Sequence, residues 1–187
     1  MSGPCRIMIV GAPGSGKSTL ARLLGERLGL PVYHLDQLYH RPGWTPPPPG
    51  EFEADVARIA ALPAWVIDGN YSSAAEPRLR VADLLIHVDV STLIRLTRIL
   101  RRIATYAGRV RPDSAPGCPE RLDWEFLVYA WRWQRDVGPR VRAVMASFTG
   151  PVVTLRTAAD RTSLLAALGG DGEAPSAPGI ASLHGAA

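Results

Sequence analysis

A chain of 187 residues, 47% hydrophobic and with a formal net charge of +4, is long enough for one domain with a full core. No apolar run approaches the roughly 20 residues that a membrane span requires, so a membrane protein is excluded and a soluble, cytoplasmic one is expected. The two cysteines, Cys5 and Cys118, lie far apart without metal-ligand spacing, and both are expected to be reduced thiols.

The first predicted elements are a strand, a loop and a helix. Residues 6–10 are apolar enough for a buried strand, and residues 11–18 then fit the pattern Gly-x-x-x-x-Gly-Lys-Ser. In this pattern the backbone amides of a glycine-rich loop surround a phosphate, and the positive end of the following helix points at the same place. We therefore expect a nucleotide phosphate to be bound by Gly11, Ala12, Gly14, Ser15, Gly16, Lys17, Ser18 and Thr19.

Lys17 is the only lysine among the 21 basic residues of the chain, the other 20 being arginines. A slim ammonium can reach the outer phosphates inside a tight loop, where the planar fork of arginine does not replace it. The hydroxyl of Ser18 is in the position that binds Mg2+ in this motif. The sequence therefore predicts that ATP, or another nucleoside triphosphate, is held together with Mg2+.

After the loop, helical spacing alternates with short apolar runs. A helix is predicted over residues 19–28 and a strand over 32–35 that ends in Asp36. A proline-rich loop over 37–50 and a helix over 51–61 follow. Two further strands, over 65–67 and 84–88, end in Asp68 and Asp89.

The second half of the chain begins with a basic helix over 92–107, capped by Ser91. A mobile surface loop is expected over 108–121, then a long helix over 123–148 with a possible break at Gly138 and Pro139. The last strand is predicted over 152–155. Thr157 and Asp160 form a capping-box-like start to a helix that ends at Gly169 and Gly170, and residues 171–187 are expected to be disordered.

Strands that alternate with helices predict a parallel sheet covered on both faces. In such sheets ligands gather at the carboxyl ends of the strands, which here are Gly11, Asp36, Asp68 and Asp89. Asp68 is suited to hold Mg2+ through water, although an aspartate at this position can also simply cap the following turn. The sequence thus places polar chemistry at one edge of the sheet.

Asp36 is the candidate for recognising or deprotonating an acceptor, with a plain turn residue as the alternative. His34 shares a strand face with Asp36 by alternation, and we expect His34 and His40 to be structural rather than catalytic. Tyr39, Trp44 and Tyr71 could form the walls of an acceptor pocket, although aromatic residues pack in cores more often than against ligands.

Residues 92–142 contain eleven arginines against five acidic residues. Arg98 and Arg102 lie four residues apart on one helical face. With Arg109 and Arg135 they are candidates to stabilise transition-state charge when a lid over residues 104–122 closes, with a solvated basic face as the alternative. The helically spaced apolar residues that follow are expected to be core: Trp124, Leu127, Val128 and Trp131.

These motifs resemble the adenylate-kinase-like group of P-loop kinases, and more closely the bacterial proteins labelled topology modulation or FlaR-type. The resemblance runs from Arg6 to about Leu168. It implies a P-loop NTPase three-layer sandwich with a five-stranded parallel sheet in order 2-3-1-4-5, helices on both faces and an arginine-rich lid. Besides the loop at Gly11 it rests on His34-Leu35-Asp36 with Pro42-Gly43-Trp44, Asp68-Gly69-Asn70-Tyr71, and Cys118-Pro119-Glu120 with Leu122-Asp123-Trp124.

The expected protein is therefore a Mg-ATP-dependent kinase over residues 1–170, with a disordered tail over 171–187. Its acceptor would be a small molecule, with a nucleoside or nucleotide ahead of other metabolites; the acceptor region departs from adenylate kinases, which argues against AMP. The alternative is a DNA-associated regulatory NTPase, since arginine-rich segments interleaved with tryptophan also bind nucleic acid. The kinase is preferred because the basic residues lie where a lid would close and no recognised DNA-reading motif is present. The preference for ATP or GTP and the oligomeric state stay open.

Overall fold

The computed structural model describes residues 3–111 and 113–168. Its centre is a five-stranded parallel sheet, and the inner strands have the short, apolar character of strands buried on both faces, whereas the last strand lies at an edge and is partly exposed. The strands are β1 (Arg6–Gly11), β2 (Val32–His34), β3 (Trp65–Asp68), β4 (Leu84–Val88) and β5 (Val152–Leu155). Their order in the sheet is β2-β3-β1-β4-β5, which confirms the predicted topology.

Eight α-helices connect or cover the described strands. They are α1 (Lys17–Leu28), α2 (Leu35–Tyr39), α3 (Glu51–Ala60), α4 (Ala75–Leu79), α5 (Thr92–Tyr106), α6 (Trp124–Asp136), α7 (Gly138–Ser147) and α8 (Ala158–Leu168). A 3-10 turn, Ser72–Ala74, precedes α4. Within the described ranges, no helix combines the length and the apolar character needed to cross a membrane.

Strand β1 divides the core into two clusters because its side chains alternate between the two faces of the sheet. Ile7 and Ile9 pack against residues of α1 and α8. Met8 and Val10 point to the opposite face and pack against residues of α3, α6 and α7. The sheet is thus covered on both sides, as a three-layer α/β protein requires.

The region after β2 differs from the prediction of a strand over 32–35 that ends in Asp36. Strand β2 ends at His34, and Asp36 lies in the first turn of α2, where the helix dipole favours a carboxylate. The side chain of Leu35 is fully buried, and it lies where a Cβ on Gly69 would approach it within 2.7 Å. The chain therefore turns into a helix one residue early, and His34 and Asp36 do not share a strand face.

The predicted long helix over 123–148 is broken where expected and forms α6 and α7. The carboxylate of Asp123 caps α6 by accepting a 3.1 Å hydrogen bond from the backbone N–H of Phe126. Pro139 lies in the first turn of α7, where a missing backbone N–H costs little.

The prediction that Trp124 and Trp131 belong to the core was wrong, since their exposed fractions are 75% and 59%. The helix instead buries Ala130 and Trp133. Trp124 and Trp131 lie seven residues apart and therefore share a helical face that points to solvent. Helical spacing identified a real stripe but not the side on which the core lies.

The start of α8 has the predicted capping box. The backbone N–H of Asp160 donates to Thr157 Oγ1 at 3.1 Å, and the backbone N–H of Thr157 donates to Asp160 Oδ2 at 2.9 Å. The predicted end of this helix at Gly169 and Gly170, and the predicted disordered tail over 171–187, lie outside the described residues.

Candidate active site

The glycine-rich loop leaves the carboxyl end of β1 and leads into α1. Gly11, Gly14 and Gly16 have positive φ angles of 147°, 74° and 100°. A Cβ on Gly11 would lie 2.4 Å from the carbonyl oxygen of Val88, and one on Gly14 would lie 2.5 Å from that of Arg95. These two glycines are therefore required twice, once for the backbone conformation and once because β4 and α5 lie directly against the loop.

Lys17 is the first residue of α1 and folds back over its own loop. Its Nζ donates to the carbonyl oxygen of Ala12 at 3.1 Å. Burial lowers the pKa of Lys17, while the nearby carboxylates of Asp68 and Asp36 act in the opposite direction. The ammonium therefore lies between the loop and the acidic side chains at the ends of the neighbouring strands.

Ser18 and Asp68, the two residues predicted to bind a metal ion, are in direct contact. Ser18 Oγ donates to Asp68 Oδ2 at 2.8 Å, and the other carboxylate oxygen of Asp68 pairs with Nδ1 of His34. Both oxygens of Asp68 thus contact side chains, rather than capping the following turn. A hydroxyl and one carboxylate are hard oxygen donors of the kind that Mg2+ takes from proteins, which usually leave its other positions to phosphates and water.

His34 has a larger part in the site than the sequence indicated. Burial alone would lower the pKa of His34, but the hydrogen bond and charge of Asp68, together with the charges of Asp113 and Asp36, outweigh burial and raise it. The imidazole is therefore in contact with one carboxylate, that of Asp68, and feels the negative charge of two more. The hydrogen bond between His34 and Asp68 connects the end of β2 to the end of β3 beside the glycine-rich loop.

The segment after β3 braces the loop through Asn70. The amide of Asn70 accepts from the backbone N–H of Gly11 at 3.0 Å and donates to the carbonyl oxygen of Gly11 at 2.9 Å. Both polar backbone groups of Gly11 are thus satisfied by one side chain. This pair fixes the first residue of the loop relative to β3.

Arg78 holds the same segment from the other side. Its guanidinium is fully buried and donates to the carbonyl oxygens of Ala74 at 2.9 Å, Gly69 at 3.0 Å, Asn70 at 3.0 Å and Tyr71 at 3.1 Å. Burial lowers the pKa of Arg78 to about 10, so the group stays charged at neutral pH. A positive charge held only by carbonyl dipoles fixes residues 69–74 in one conformation.

Asp36, predicted to recognise an acceptor, lies in the first turn of α2 beside the end of β2 and is exposed to solvent. The hydroxyl of Tyr71 donates to Asp36 Oδ1 at 2.7 Å, from a backbone with a positive φ of 25°. Burial raises the pKa of Tyr71, which keeps the phenol protonated and able to donate. The rings of Tyr39 and Phe52 each lie 4.8 Å from the ring of Tyr71. Asp36 therefore stands beside an aromatic wall.

Helix α5 brings two arginines to the site. Arg98 donates to the carbonyl oxygen of Ser15 in the loop at 2.9 Å. One turn later Arg102 binds the carboxylate of Glu120 at 2.8 Å, and the same carboxylate binds Arg111 at 2.7 Å. Glu120 is buried, so a single lid carboxylate holds one arginine of the helix and one of the lid. Arg98 and Arg102 therefore both lie on the face of α5 that meets the loop and the segment around Glu120.

The segment predicted to form a lid, residues 104–122 without the undescribed residue 112, is packed onto the loop that follows α2, and we keep the name lid for it. The backbone N–H of Gly43 donates to Gly117 O at 3.0 Å, and Trp44 Nε1 donates to Pro119 O at 3.2 Å. Cys118, buried among lid residues, places its Sγ 3.1 Å from Arg41 O. The lid is therefore not simply a surface loop, since part of it is buried against the acceptor side.

Two predicted site residues do not join this cluster in the described structure. The side chain of Arg109 is exposed at the base of the lid, where only its backbone pairs with Glu120. Arg135 is 72% exposed and pairs with the adjacent Asp136. Arg135 lies on the outer side of α6 because the buried Trp133 defines the inner side. Geometry thus supports Arg98 and Arg102 more directly than Arg109 and Arg135.

The sequence reasoning missed the roles of Asn70, Arg78 and Glu120. Asn70 and Glu120 stand in motifs that carried the resemblance, but their partners lie 59 and 18 residues away. Arg78 stands in a connection that read only as polar and arginine-bearing. Its one available signal was an arginine surrounded by small and apolar residues in a short helix.

Residues 7–109, from β1 to the base of the lid, match the AAA domain family AAA_18 over more than half of the chain. The chain belongs to the AAA domain family. This AAA domain chain is also similar to several solved structures. The shikimate kinase from Bacteroides thetaiotaomicron aligns with a TM-score of 0.56 and 16% identity, over 88% of this chain and 96% of that one.

Two further solved structures share this fold. The shikimate kinase from Acinetobacter baumannii, solved in complex with shikimate, aligns with a TM-score of 0.54 and 18% identity, over 88% of this AAA domain chain and 90% of that one. A gluconokinase from Sinorhizobium meliloti aligns with a TM-score of 0.52 and 17% identity, over 90% of this chain and 95% of that one. The comparison with curated proteins gave no significant match. At these identities the likeness establishes the fold of P-loop NTPase kinases.

Proposed function

We propose that this protein is a Mg-ATP-dependent kinase that acts in the cytoplasm and transfers the γ-phosphoryl group to a small acceptor, a nucleoside or nucleotide ahead of other metabolites. The observation that carries the proposal is the 2.8 Å contact between Ser18 Oγ and Asp68 Oδ2 beside Lys17. Asp36 stands at the adjacent strand end. The residues that we propose for phosphate binding, for the metal ion and for the acceptor lie at one edge of the sheet, which supports the proposal.

The loop residues fit a triphosphate with bound Mg2+. Ser18 and Asp68 would hold the metal ion, which neutralises phosphate charge when bound. Ser15 Oγ is buried and has no hydrogen-bond partner among the described residues, so it offers a hydroxyl to a phosphate oxygen. The phosphates would be held by Gly11, Ala12, Gly14, Ser15, Gly16, Lys17, Ser18 and Thr19.

The acceptor hydroxyl would lie beside Asp36, which takes its proton as the acceptor oxygen bonds to the γ-phosphorus. The bond between that phosphorus and the bridging oxygen of the leaving diphosphate breaks, giving ADP and a phosphate ester. Lys17, Arg98 and Arg102 stabilise the charge on the transferred group, and such arginines contribute about 10³ to 10⁵ in rate in related reactions. Arg109 would contribute only after the lid moves, and Arg135, on the outer side of α6, only after α6 moves as well.

Within the family, we place the protein with the adenylate-kinase-like P-loop kinases, nearest to the topology modulation or FlaR-type proteins. The second candidate function, a DNA-associated regulatory NTPase, draws support from the exposed Trp124 and Trp131, which could stack on bases. The kinase is favoured because Glu120 holds Arg102 and Arg111 inside the lid, where a nucleic acid backbone would not reach them.

The test is phosphorylation of a panel of nucleosides, nucleotides and sugars with γ-labelled ATP and Mg2+. At least one acceptor should be labelled, and Lys17→Met should lower its turnover by about a thousandfold or more, the size of effect known for single transition-state contacts of this kind. Arg22→Met, a change on the exposed side of α1, is the matched control and should leave turnover unchanged. Undiminished labelling in Lys17→Met would contradict the proposal. Hydrolysis stimulated by DNA, without a labelled acceptor and with binding that falls steeply with salt, would favour the second candidate.

A further inference from the structure

The acceptor side of the site is acidic. Asp36 is exposed and accepts a hydrogen bond from Tyr71. Asp113 of the lid is close by, because the next residue, Ser114, accepts a 3.4 Å hydrogen bond from the side chain of Gln37. The carboxylates of Asp113 and Asp36 both act on His34 at the end of β2. An acceptor bound beside Asp36 would therefore meet two carboxylates.

The arginines on this side are already engaged. Arg78 is buried and donates only to backbone carbonyls, so it cannot turn towards an acceptor. Arg111 binds both Glu120 and Asp113. In the described part of the chain, the other arginines between β2 and β4 are likewise paired with acids: Arg41 with Glu51, Arg58 with Asp55 and Arg80 with Glu76.

The wall of this side is aromatic. Tyr39 packs against Tyr71 and, edge to face, against His40. The ring of His40 lies 5.1 Å from that of Trp44, which continues the wall into the loop that the lid covers. Such rings offer flat, uncharged surface to a base or a sugar ring. They offer no positive charge to an anionic substituent.

We propose, resting on the kinase function above, that the acceptor is an uncharged or cationic hydroxyl compound, a nucleoside before a neutral or amino sugar, and not a phosphomonoester or a carboxylate. A hydroxyl can share the carboxylate of Asp36, since a carboxylate accepts several hydrogen bonds. A second anion on the acceptor would be placed beside Asp36 and Asp113, where the arginine nearest to Asp113, Arg111, is already shared by Asp113 and Glu120. Selectivity here comes from repulsion of the wrong acceptor as well as from contacts to the right one.

The experiment compares acceptors in matched pairs that differ in one charge. Each nucleoside is compared with its 5′-monophosphate, and glucose and glucosamine are compared with gluconate; shikimate is added as a second carboxylate. The kcat/KM of each is measured with Mg-ATP, and its affinity is measured by calorimetry with a non-hydrolysable ATP analogue bound. The uncharged or cationic member of a pair should have a kcat/KM at least about tenfold higher, the effect of one partly screened charge contact.

Two variants test the cause of this preference. Asp113→Asn removes one carboxylate charge from the lid, and the ratio of the two kcat/KM values within each acceptor pair should fall by at least about threefold. Glu26→Gln removes a charge of the same sign from the exposed outer side of α1 and should leave the ratio unchanged. An unaltered ratio in Asp113→Asn, or an equal change in both variants, would overturn the assigned cause and the inference with it.

Failure of the inference is distinguishable from failure of the kinase function. Tighter binding or faster turnover of the anionic members overturns the inference and leaves the kinase function intact. Loss of that anionic preference in Arg109→Gln would then assign the anion to the exposed Arg109 at the lid base. If ATP binds through Lys17 but no acceptor of any charge is bound or phosphorylated, the kinase function falls, and the inference falls with it.

Discussion

Replacing Arg78 by methionine should lower the free energy of unfolding, because it removes the hydrogen-bond donor that four backbone carbonyls share. Methionine keeps much of the apolar stem, so little cavity forms and the loss is mainly polar. The carbonyl of Tyr71 keeps a second donor, the backbone N–H of Ala74 at 3.1 Å. The carbonyls of Gly69 and Asn70 lose the donor that the structure gives them.

Each buried acceptor left without a partner costs about 1–3 kcal/mol, so two of them cost about 4 kcal/mol. A domain has about 5–15 kcal/mol of stability in total, so this is a large share. For a chain of this length each kcal/mol lowers Tm by about 2–4 °C, which gives a fall of about 8–16 °C. Arg78→Lys keeps the charge and part of the hydrogen bonding, and should lose about half as much.

Arg80→Met is the matched control, because Arg80 lies two residues further along, is exposed and makes only a surface pair with Glu76. That pair is worth about 0–1 kcal/mol. Urea denaturation at equilibrium measures all three variants, with equal slopes required for the comparison. If the free energy of unfolding of Arg78→Met lies within about 1 kcal/mol of that of the wild type, a difference typical of surface substitutions, the hydrogen bonds of Arg78 do not stabilise residues 69–74 as we argue.

Three further changes test other parts of the site. Glu120→Gln should lower kcat by about tenfold to a hundredfold with little change in KM, because the two arginines that Glu120 holds lose their charged partner. The control Glu125→Gln, on the first turn of α6, should change neither constant. If the two variants have the same kcat and KM, Glu120 does not position the arginines. Gly11→Ala should lower the free energy of unfolding, measured by urea denaturation, by about 2–4 kcal/mol, because its Cβ would lie 2.4 Å from a carbonyl oxygen of β4. Gly43→Ala has open space around its Cβ and should lower it by only about 1 kcal/mol, through backbone strain. Equal losses in the two variants would refute the packing argument. Asp68→Asn should raise the Mg2+ concentration for half-maximal turnover by about tenfold or more, as loss of a metal ligand does, and an unchanged magnesium titration would remove Asp68 from the metal site.

The fold followed from the sequence because its signals are local. Each strand is a short apolar run, α5 and α6 have a side-chain cap at the start, α1 ends at Gly29, and the alternation of strands and helices permits few arrangements. The loop at Gly11 could be predicted equally well from the sequence, since its residues recur at a fixed spacing. Strand β2 was predicted one residue too long, because the burial of Leu35 against Gly69 is a contact between distant residues.

The rest of the site depends on contacts that no local pattern announces. Asn70 reaches Gly11 across 59 residues, and the lid reaches the acceptor loop across 75 residues through Trp44 and Pro119. The stripe of Trp124 and Trp131 was recognised by its period, but a period does not tell which side faces the core. Charge counting likewise marked the basic segment without showing that Glu120 binds two of its arginines.

The central claim is that the loop and Lys17 hold the phosphates of a purine nucleoside triphosphate together with Mg2+. Isothermal calorimetry of ATP, and of GTP, with the wild type and Lys17→Met in the presence of Mg2+ tests it most directly. The account predicts micromolar binding to the wild type, which corresponds to about −8 kcal/mol, and a loss of at least about a hundredfold, or about 2.7 kcal/mol, in the variant. Equal affinity in the two proteins, or no association of the wild type with either nucleotide, would contradict it.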